Sequence, residues 1–334
     1  MREWRQVLAL VAILVLIVAA GTSVRAQGPQ VSIIEAWFIH NESMGDPVGV
    51  EKKFFGNLQV TVISGGPGLS PIDRVMAEAR QGKIVLGVDY PYNILEAREK
   101  QKLPLVVVAH DFQKSAIHLL SWVQLKSPKD VKGTVATWIG YDKQIKAMYG
   151  AGWDKVIKIV NQQGDPATIG AWVQKQYQFA HAMGYNEVLV ARRLAREGKI
   201  KDKFYIYSYA DDFGMKWPEN VVFTTEEILS KYPQVVQQFV AGHYQGFKYA
   251  FANRNEAGDI LLKYNRNLDR AHEIEGMDFL ASIMVTPATR ANGLGYVDPA
   301  AWDQLAKDLA NAGLLKGANV RAAYTTKFAS GVKP

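Results

Sequence analysis

Short apolar runs alternate along the chain with stretches whose apolar residues recur at helical spacing. Residues 31–37 read as a strand, 45–55 as a helix start and short helix, and 58–63 as an alternating strand. Ser70-Pro71-Ile72-Asp73 supplies a capping hydroxyl, a proline at the first helical position and an acid at the third, so it opens a helix over 72–80. A strand at 84–88, a helix at 93–100 and a strand at 105–110 follow. Strands and helices joined by short loops in this order predict a mostly parallel sheet flanked by helices, an α/β fold.

A second series begins after His110. Residues 117–124 are extended, 127–131 a short helical turn, 133–138 a strand, 141–149 helical, 156–161 a strand and 167–175 helical. The buried strand at 179–184 stops at Gly184 and hands over to a helix near 188–197, and 204–209 alternates aromatic and polar residues. From 226 onward the pattern is helical, at 226–231, 233–253, 255–263 and 299–312. Two such series predict two α/β lobes, with chain crossings near 112–122 and 211–225. The first lobe would then be discontinuous (27–115 and 215–315), the second would span 116–214, and 316–334 would form a loosely held tail. Ligand sites in such proteins fall between the lobes.

The first 26 residues have a separate character. Arg2 and Arg5 precede an apolar run at 7–20, and Val24-Arg25-Ala26 fits a small-x-small cleavage site, so 1–26 reads as a secretory signal peptide with the mature chain starting near Gln27. The run is shorter than the roughly 20 residues that span a bilayer. A cleaved leader and a periplasmic protein are therefore expected, without the lipid anchor that a cysteine would provide. The sequence has no cysteine at all, which removes disulfides, thiolate metal sites and cysteine nucleophiles together. The net charge of +7 falls to about +5 without the leader and is scattered rather than gathered in a basic run, so nucleic acid is not an expected partner.

Candidate chemistry lies at the strand ends. Trp37, Tyr90, Phe112, Trp138, Tyr141 and Tyr185 each sit at or just after the carboxyl end of an expected strand, the edge that faces a ligand crevice in open α/β sheets. Tyr185-Asn186-Glu187 adds an amide and a carboxylate where a helix begins. This corner is either a capped helix with a surface tyrosine or a clamp for a polar aromatic molecule. Ser64-Gly65-Gly66-Pro67-Gly68 is a glycine-rich turn with exposed N–H groups, and no Gly-x-Ser-x-Gly elbow accompanies it. The six histidines show no metal-binding spacing, His181 reads as a hydrogen-bonded core residue, and no nucleotide fingerprint is present. No catalytic residue, metal or cofactor is assigned.

Taken together these pieces resemble the periplasmic solute-binding proteins of the aliphatic-sulfonate, nitrate and thiamine-pyrimidine type that feed ABC importers, and most of all the branch implicated in riboflavin or pyrimidine-precursor uptake. The similarity runs from about Ile33 to Met284. It is carried by Trp37 with Gly45 eight residues on, the strand before Gly65-Gly66, Ala97-Arg98 before Leu103-Pro104-Leu105-Val106-Val107, Ser127-Pro128-Lys129-Asp130-Val131-Lys132-Gly133, Trp138-Ile139-Gly140-Tyr141, Ala182-Met183-Gly184-Tyr185-Asn186-Glu187, and the helix around 239–247. The resemblance implies a two-lobed, hinge-bending binding fold with contacts at Trp37, around Tyr90, at Trp138-Ile139-Gly140-Tyr141 and at Tyr185-Asn186-Glu187. Two departures stand out. Ser43 occupies the place of a family histidine six residues after the tryptophan, and Tyr141-Asp142-Lys143 follows Gly140 where the riboflavin-type pattern has Gly-Asn-Glu.

The expected ligand set is thus Trp37, Ser43, Asp89, Tyr90, Phe112, Trp138, Tyr141, Tyr185, Asn186 and Glu187. The expected function is capture of a small heteroaromatic compound by a monomer that delivers it to membrane permease subunits. Two alternatives stay open: a sulfonate, carboxylate or other small anion held by N–H groups at 65–69 with Lys143, and a secreted enzyme using Glu187 and Asp89 as acid and base.

Overall fold

The computed structural model describes residues 28–138, 140–162, 169–317, 319–328 and 330–334. The expected leader at 1–26, its cleavage point at Gln27, Ile139, and residues 167–168 at the start of the expected 167–175 helix lie outside the described residues.

Two five-stranded sheets underlie the two lobes. The first uses β1 (Gln30–Ile34), β2 (Gln59–Ile63), β3 (Ile84–Asp89), β4 (Leu105–Phe112) and, from far along the chain, β10 (Glu219–Thr225), in the order β2-β1-β3-β10-β4. The second uses β5 (Ile117–Ser121), β6 (Gly133–Thr137), β7 (Ile157–Asn161), β8 (Phe179–Met183) and β9 (Tyr205–Ser208), in the order β7-β6-β8-β5-β9. β1 runs parallel to β2 and β3, and β6 to β7 and β8. In each lobe the strand next to a chain crossing is antiparallel: β10 to β3 and β4, β5 to β8 and β9.

Helices α1 (Gly45–Glu51), α2 (Pro71–Arg80) and α3 (Pro91–Gln101) belong to the first series, and α4 (Lys143–Tyr149), α5 (Gly170–Val173) and α6 (Glu187–Arg196) to the second. The chain then returns through α7 (Glu226–Lys231), α8 (Pro233–Ala252), α9 (Arg254–Tyr264), α10 (Arg270–Met284), α11 (Pro287–Asn292) and α12 (Pro299–Asn311). Helix α2 starts as its sequence dictates, with the Ser70 hydroxyl accepting the Asp73 N–H at 3.1 Å and Pro71 at the first turn.

Three sequence expectations need correction. The stretch 211–225 was expected to be a crossing, yet its second half is β10, buried at every position between β3 and β4. Asp211, Asp212, Gly214, Lys216 and Pro218 make 211–218 read as a loop and hide the β-branched and aromatic run Val221-Val222-Phe223 that follows. Helix α10 was not expected, because charged residues and Gly276 interrupt its apolar spacing. The expected loose tail at 316–334 is largely built in: Val107 donates to the Ala323 carbonyl and accepts from Thr325 N–H, both at 2.9 Å, while Ala323, Tyr324, Phe328 and Val332 are buried. This segment covers the free edge of β4, which would otherwise present unpaired backbone groups.

Two links, 113–116 and 209–218, join the lobes, and Glu219 ties them together. Its carboxylate accepts from the Ser115 hydroxyl and from Ala116 N–H at 3.1 Å. Burial pushes its pKa up to about 8.

The first lobe is pinned where α1 crosses α8. A Cβ on Gly246 would lie 1.9 Å from the Gly45 carbonyl oxygen, and one on Gly49 or Gly242 would meet the Phe55 ring. Beside this contact His243 sits 2.9 Å from both Asp46 and Asp111, with Tyr244 donating to Asp111 at 2.8 Å. Burial would lower the imidazole pKa, but the two aspartates outweigh it and hold it at about 10. Gly246→Ala should therefore destabilise the protein by roughly 3 kcal/mol in urea unfolding, the cost of overpacking against backbone. Gly170→Ala, where a Cβ meets nothing within 4 Å, should stay within about 0.5 kcal/mol of the parent. Equal midpoints for the two variants would refute the packing argument.

Candidate functional site

The carboxyl ends of β1, β3, β6 and β8 converge on one narrow slot between the lobes. The turn after β1 supplies Trp37, His40 and Glu42. The end of β3 supplies Tyr90, whose backbone caps α3, and the end of β6 supplies Trp138 and Tyr141. The β8 corner supplies Met183, Tyr185, Asn186 and Glu187. Tyr141 is central: its ring lies 4.7 Å from Tyr90, 5.7 Å from Trp138 and 6.4 Å from Trp37, each edge-to-face. Such contacts turn neighbouring π faces in different directions, so the slot is bounded by several aromatic planes.

Two wider chambers open from the slot. The first continues past Trp37, His40 and Asn186 to Arg193, Asn265, Asp269 and His272. The second continues past Trp37, Tyr90 and Tyr141 to the 66–73 turn, Asp89 and Glu96.

The slot buries charge. His40 Nε2 lies 3.4 Å from Glu42 Oε1. Burial opposes the imidazolium, but the Glu42 carboxylate prevails and raises His40 to about 9. Glu42 is likewise disfavoured as an anion by burial, yet His40 and the Tyr185 hydroxyl, which donates to it, bring its pKa below the ordinary value. Glu187 makes no ion pair of its own, and the attraction of His40 does not offset its burial. Its oxygens accept from Met183 N–H at 2.8 Å and from the Asn186 side-chain amide at 3.0 Å, and burial raises it to about 8. No lysine or arginine is among the described lining residues.

Of the residues singled out in the sequence, Trp37, Tyr90, Trp138, Tyr141, Tyr185, Asn186 and Glu187 line the slot. Asp89 lines the second chamber instead, where it accepts from Tyr90 N–H at 2.7 Å and from the Asn93 amide at 2.8 Å; burial raises it to about 6. Phe112 is fully buried behind the slot, 6.0 Å from the Tyr185 ring. Ser43 does not line the slot: its hydroxyl bonds the backbone of His40, donating to the carbonyl at 3.1 Å. The nearby histidine that does reach the slot is His40, three residues after Trp37. Gly66, Gly68 and Leu69 border the second chamber, while Lys143 pairs with Glu96 at 3.1 Å.

Contacts across the slot join the lobes. Tyr185 reaches Glu42, His272 on α10 meets the Asn186 amide oxygen at 2.8 Å, and Arg193 lies 3.7 Å from Asp269. Helix α10 approaches closely because Gly276 has no side chain: a Cβ there would lie 2.7 Å from the Tyr185 carbonyl oxygen. Sequence reasoning missed His40, Glu42 and Met183. The only available signal was His40-Asn41-Glu42, two ionisable residues directly after a strand-end tryptophan.

The profile of a family described as NMT1/THI5 like matches residues 42–257. The riboflavin-binding protein RibY of Chloroflexus aurantiacus is 25% identical over 254 residues, covering 72% of this chain and 68% of that protein. Among solved structures, the periplasmic aliphatic sulphonate binding protein SsuA of Escherichia coli superposes with a TM-score of 0.61 at 14% identity, covering 92% of this chain and 95% of that one. The periplasmic nitrate-binding protein NrtA of Synechocystis PCC 6803 gives 0.58 at 13% identity, covering 90% and 87%. At these identities the structural matches establish the fold.

The burial of Glu187 has a measurable consequence. Its folded pKa, about 8, lies above the unfolded carboxylate value of about 4.3. Between the two the folded chain keeps a proton that the unfolded chain has released, so stability falls as pH rises through that window and levels off above it. Glu187→Gln cannot titrate. Its melting temperature relative to the parent should therefore climb by a few degrees between pH 6 and pH 8, at most about 1.4 kcal/mol per pH unit. A gap that does not change with pH would mean that Glu187 is ionised throughout.

Proposed function

The chain belongs to the NMT1/THI5-like family, and we propose that, as a solute-binding protein of the ABC import type, it captures a small nitrogen heteroaromatic compound in the slot between its lobes. The observation that carries this reading is the slot's lining. Five aromatic side chains from four strand ends line the slot together with Glu42, Glu187 and Asn186, and no lysine or arginine is among the described lining residues. Aromatic faces stack on a heteroaromatic ring, and the carboxylate and amide edges fix its orientation through ring N–H and amino groups. A riboflavin-like or pyrimidine-precursor-like ligand fits that chemistry, and RibY, the 25% identical relative, is a riboflavin-binding protein.

A sulfonate or carboxylate ligand fits less well. The chamber beside the glycine-rich turn is bordered by Asp73, Asp89 and Glu96, and Lys143 is already paired with Glu96. An acid–base role for Glu187 and Asp89 is also disfavoured, since Asp89 is committed to the start of α3 and faces the neighbouring chamber. The remainder of the reading follows from the class: export behind a cleaved leader, a periplasmic location, a monomer, and delivery to permease subunits of an importer. Ligand capture would close the lobes about the 113–116 and 209–218 links.

Titration with riboflavin, aminopyrimidines, alkanesulfonates and nitrate tests this, with thermal shift and small-angle scattering as readouts. A heteroaromatic compound should raise the melting temperature and reduce the radius of gyration. Trp138→Ala should weaken its binding by roughly 5- to 150-fold, as loss of one stacking partner costs about 1–3 kcal/mol. Stabilisation by a sulfonate or nitrate alone, or a parent-like affinity in Trp138→Ala, would overturn the reading.

A further inference from the structure

An ionised Glu187 would leave the charges of the slot unbalanced. His40 and Glu42 neutralise each other as a pair 3.4 Å apart. Glu187, only 2% exposed, has backbone and amide donors but no ion pair among the described residues. If Glu187 is ionised, the slot carries a net charge of −1, in surroundings where water screens little. The aromatic planes around Tyr141 add to this, because the face of a ring is its negative side and attracts a cation lying against it.

Resting on the reading that this slot is the ligand site, we infer that its ligand is a flat monocation, an amidinium or a protonated aminoheterocycle. Its N–H groups bond Glu187 and its charged plane lies against the rings around Tyr141. One positive charge cancels that of the carboxylate, and a cation N–H can bond the lone pair that the Met183, Glu187 and Asn186 donors leave unused. The raised pKa of Glu187 agrees with this geometry: a buried carboxylate without a cation beside it holds its proton, and a cation would displace it. Binding a permanent cation below pH 8 therefore releases the Glu187 proton to the buffer.

Benzamidine, benzamide and benzoate share one shape and carry charges of +1, 0 and −1 at neutral pH, which makes them the probes. Calorimetry at pH 7 should find benzamidinium bound at least tenfold tighter than benzamide, and benzoate weakest. Repeating the benzamidinium titration in buffers of different ionisation enthalpy should detect a released proton, which benzamide does not release. Glu187→Gln keeps an acceptor for Met183 N–H and should bind benzamidinium and benzamide alike. Benzamide or benzoate binding as tightly as benzamidinium, or benzamidinium binding without proton release, overturns the charge inference and leaves heteroaromatic capture standing. Silence from all three at millimolar concentration overturns the charge inference, while titration with riboflavin and aminopyrimidines decides heteroaromatic capture separately.

Discussion

A buried imidazolium fixes the half of the slot that belongs to the first lobe. His243 on α8 lies 2.9 Å from Asp46 at the start of α1 and 2.9 Å from Asp111 near the end of β4. Removing one member of such a buried group leaves an uncompensated charge, a loss of about 3–5 kcal/mol. Between the end of β1 and Asp46 the chain carries Trp37, His40 and Glu42, so the position of this turn depends on where α1 is held. Gly45 and Gly246 let α1 and α8 approach to backbone contact, and the charge network sets their register. The slot thus inherits its geometry from a polar cluster that does not line it.

The second lobe is held differently. The Tyr185-Asn186-Glu187 corner is fixed by α10 from the first lobe, through Gly276 and His272, and by the Tyr185 hydroxyl on Glu42. The His272–Asn186 bond and the Arg193–Asp269 pair span the interlobe gap at a partly exposed rim where water could replace them, whereas the Tyr185–Glu42 bond is buried. The Glu219 tie between the two links is shielded as well, since Glu219 and Ser115 are buried. A hinge that stays linked while the rim exchanges its bonds with water is the arrangement a capture-and-release protein requires.

The β-α alternation and the two-lobed fold were legible because parallel strands buried on both faces read as apolar runs, and helix starts such as Ser70-Pro71 carry their own chemistry. Aromatic residues at strand ends were legible as a group, since core packing gives no reason for them to gather at that edge. Individual members were not. Phe112 ends a strand like the others, yet its side chain points into the core. Strand β10 and helix α10 escaped notice because each owes its place to partners distant in sequence: β10 lies between β3 and β4, and α10 spans the gap between lobes. His40 and Glu42 sit in an irregular turn, where no periodicity marks which side chains point inward.

The account stands or falls on what the slot holds. Mass spectrometry of the small molecules released on denaturing freshly purified, undialysed protein identifies it without any assumption about the ligand. The account predicts one nitrogen heteroaromatic compound per chain, lost from Tyr141→Ala, in which the ring at the centre of the slot is gone. A stoichiometric sulfonate, nitrate or other anion, or a heteroaromatic compound retained equally by Tyr141→Ala, would contradict it.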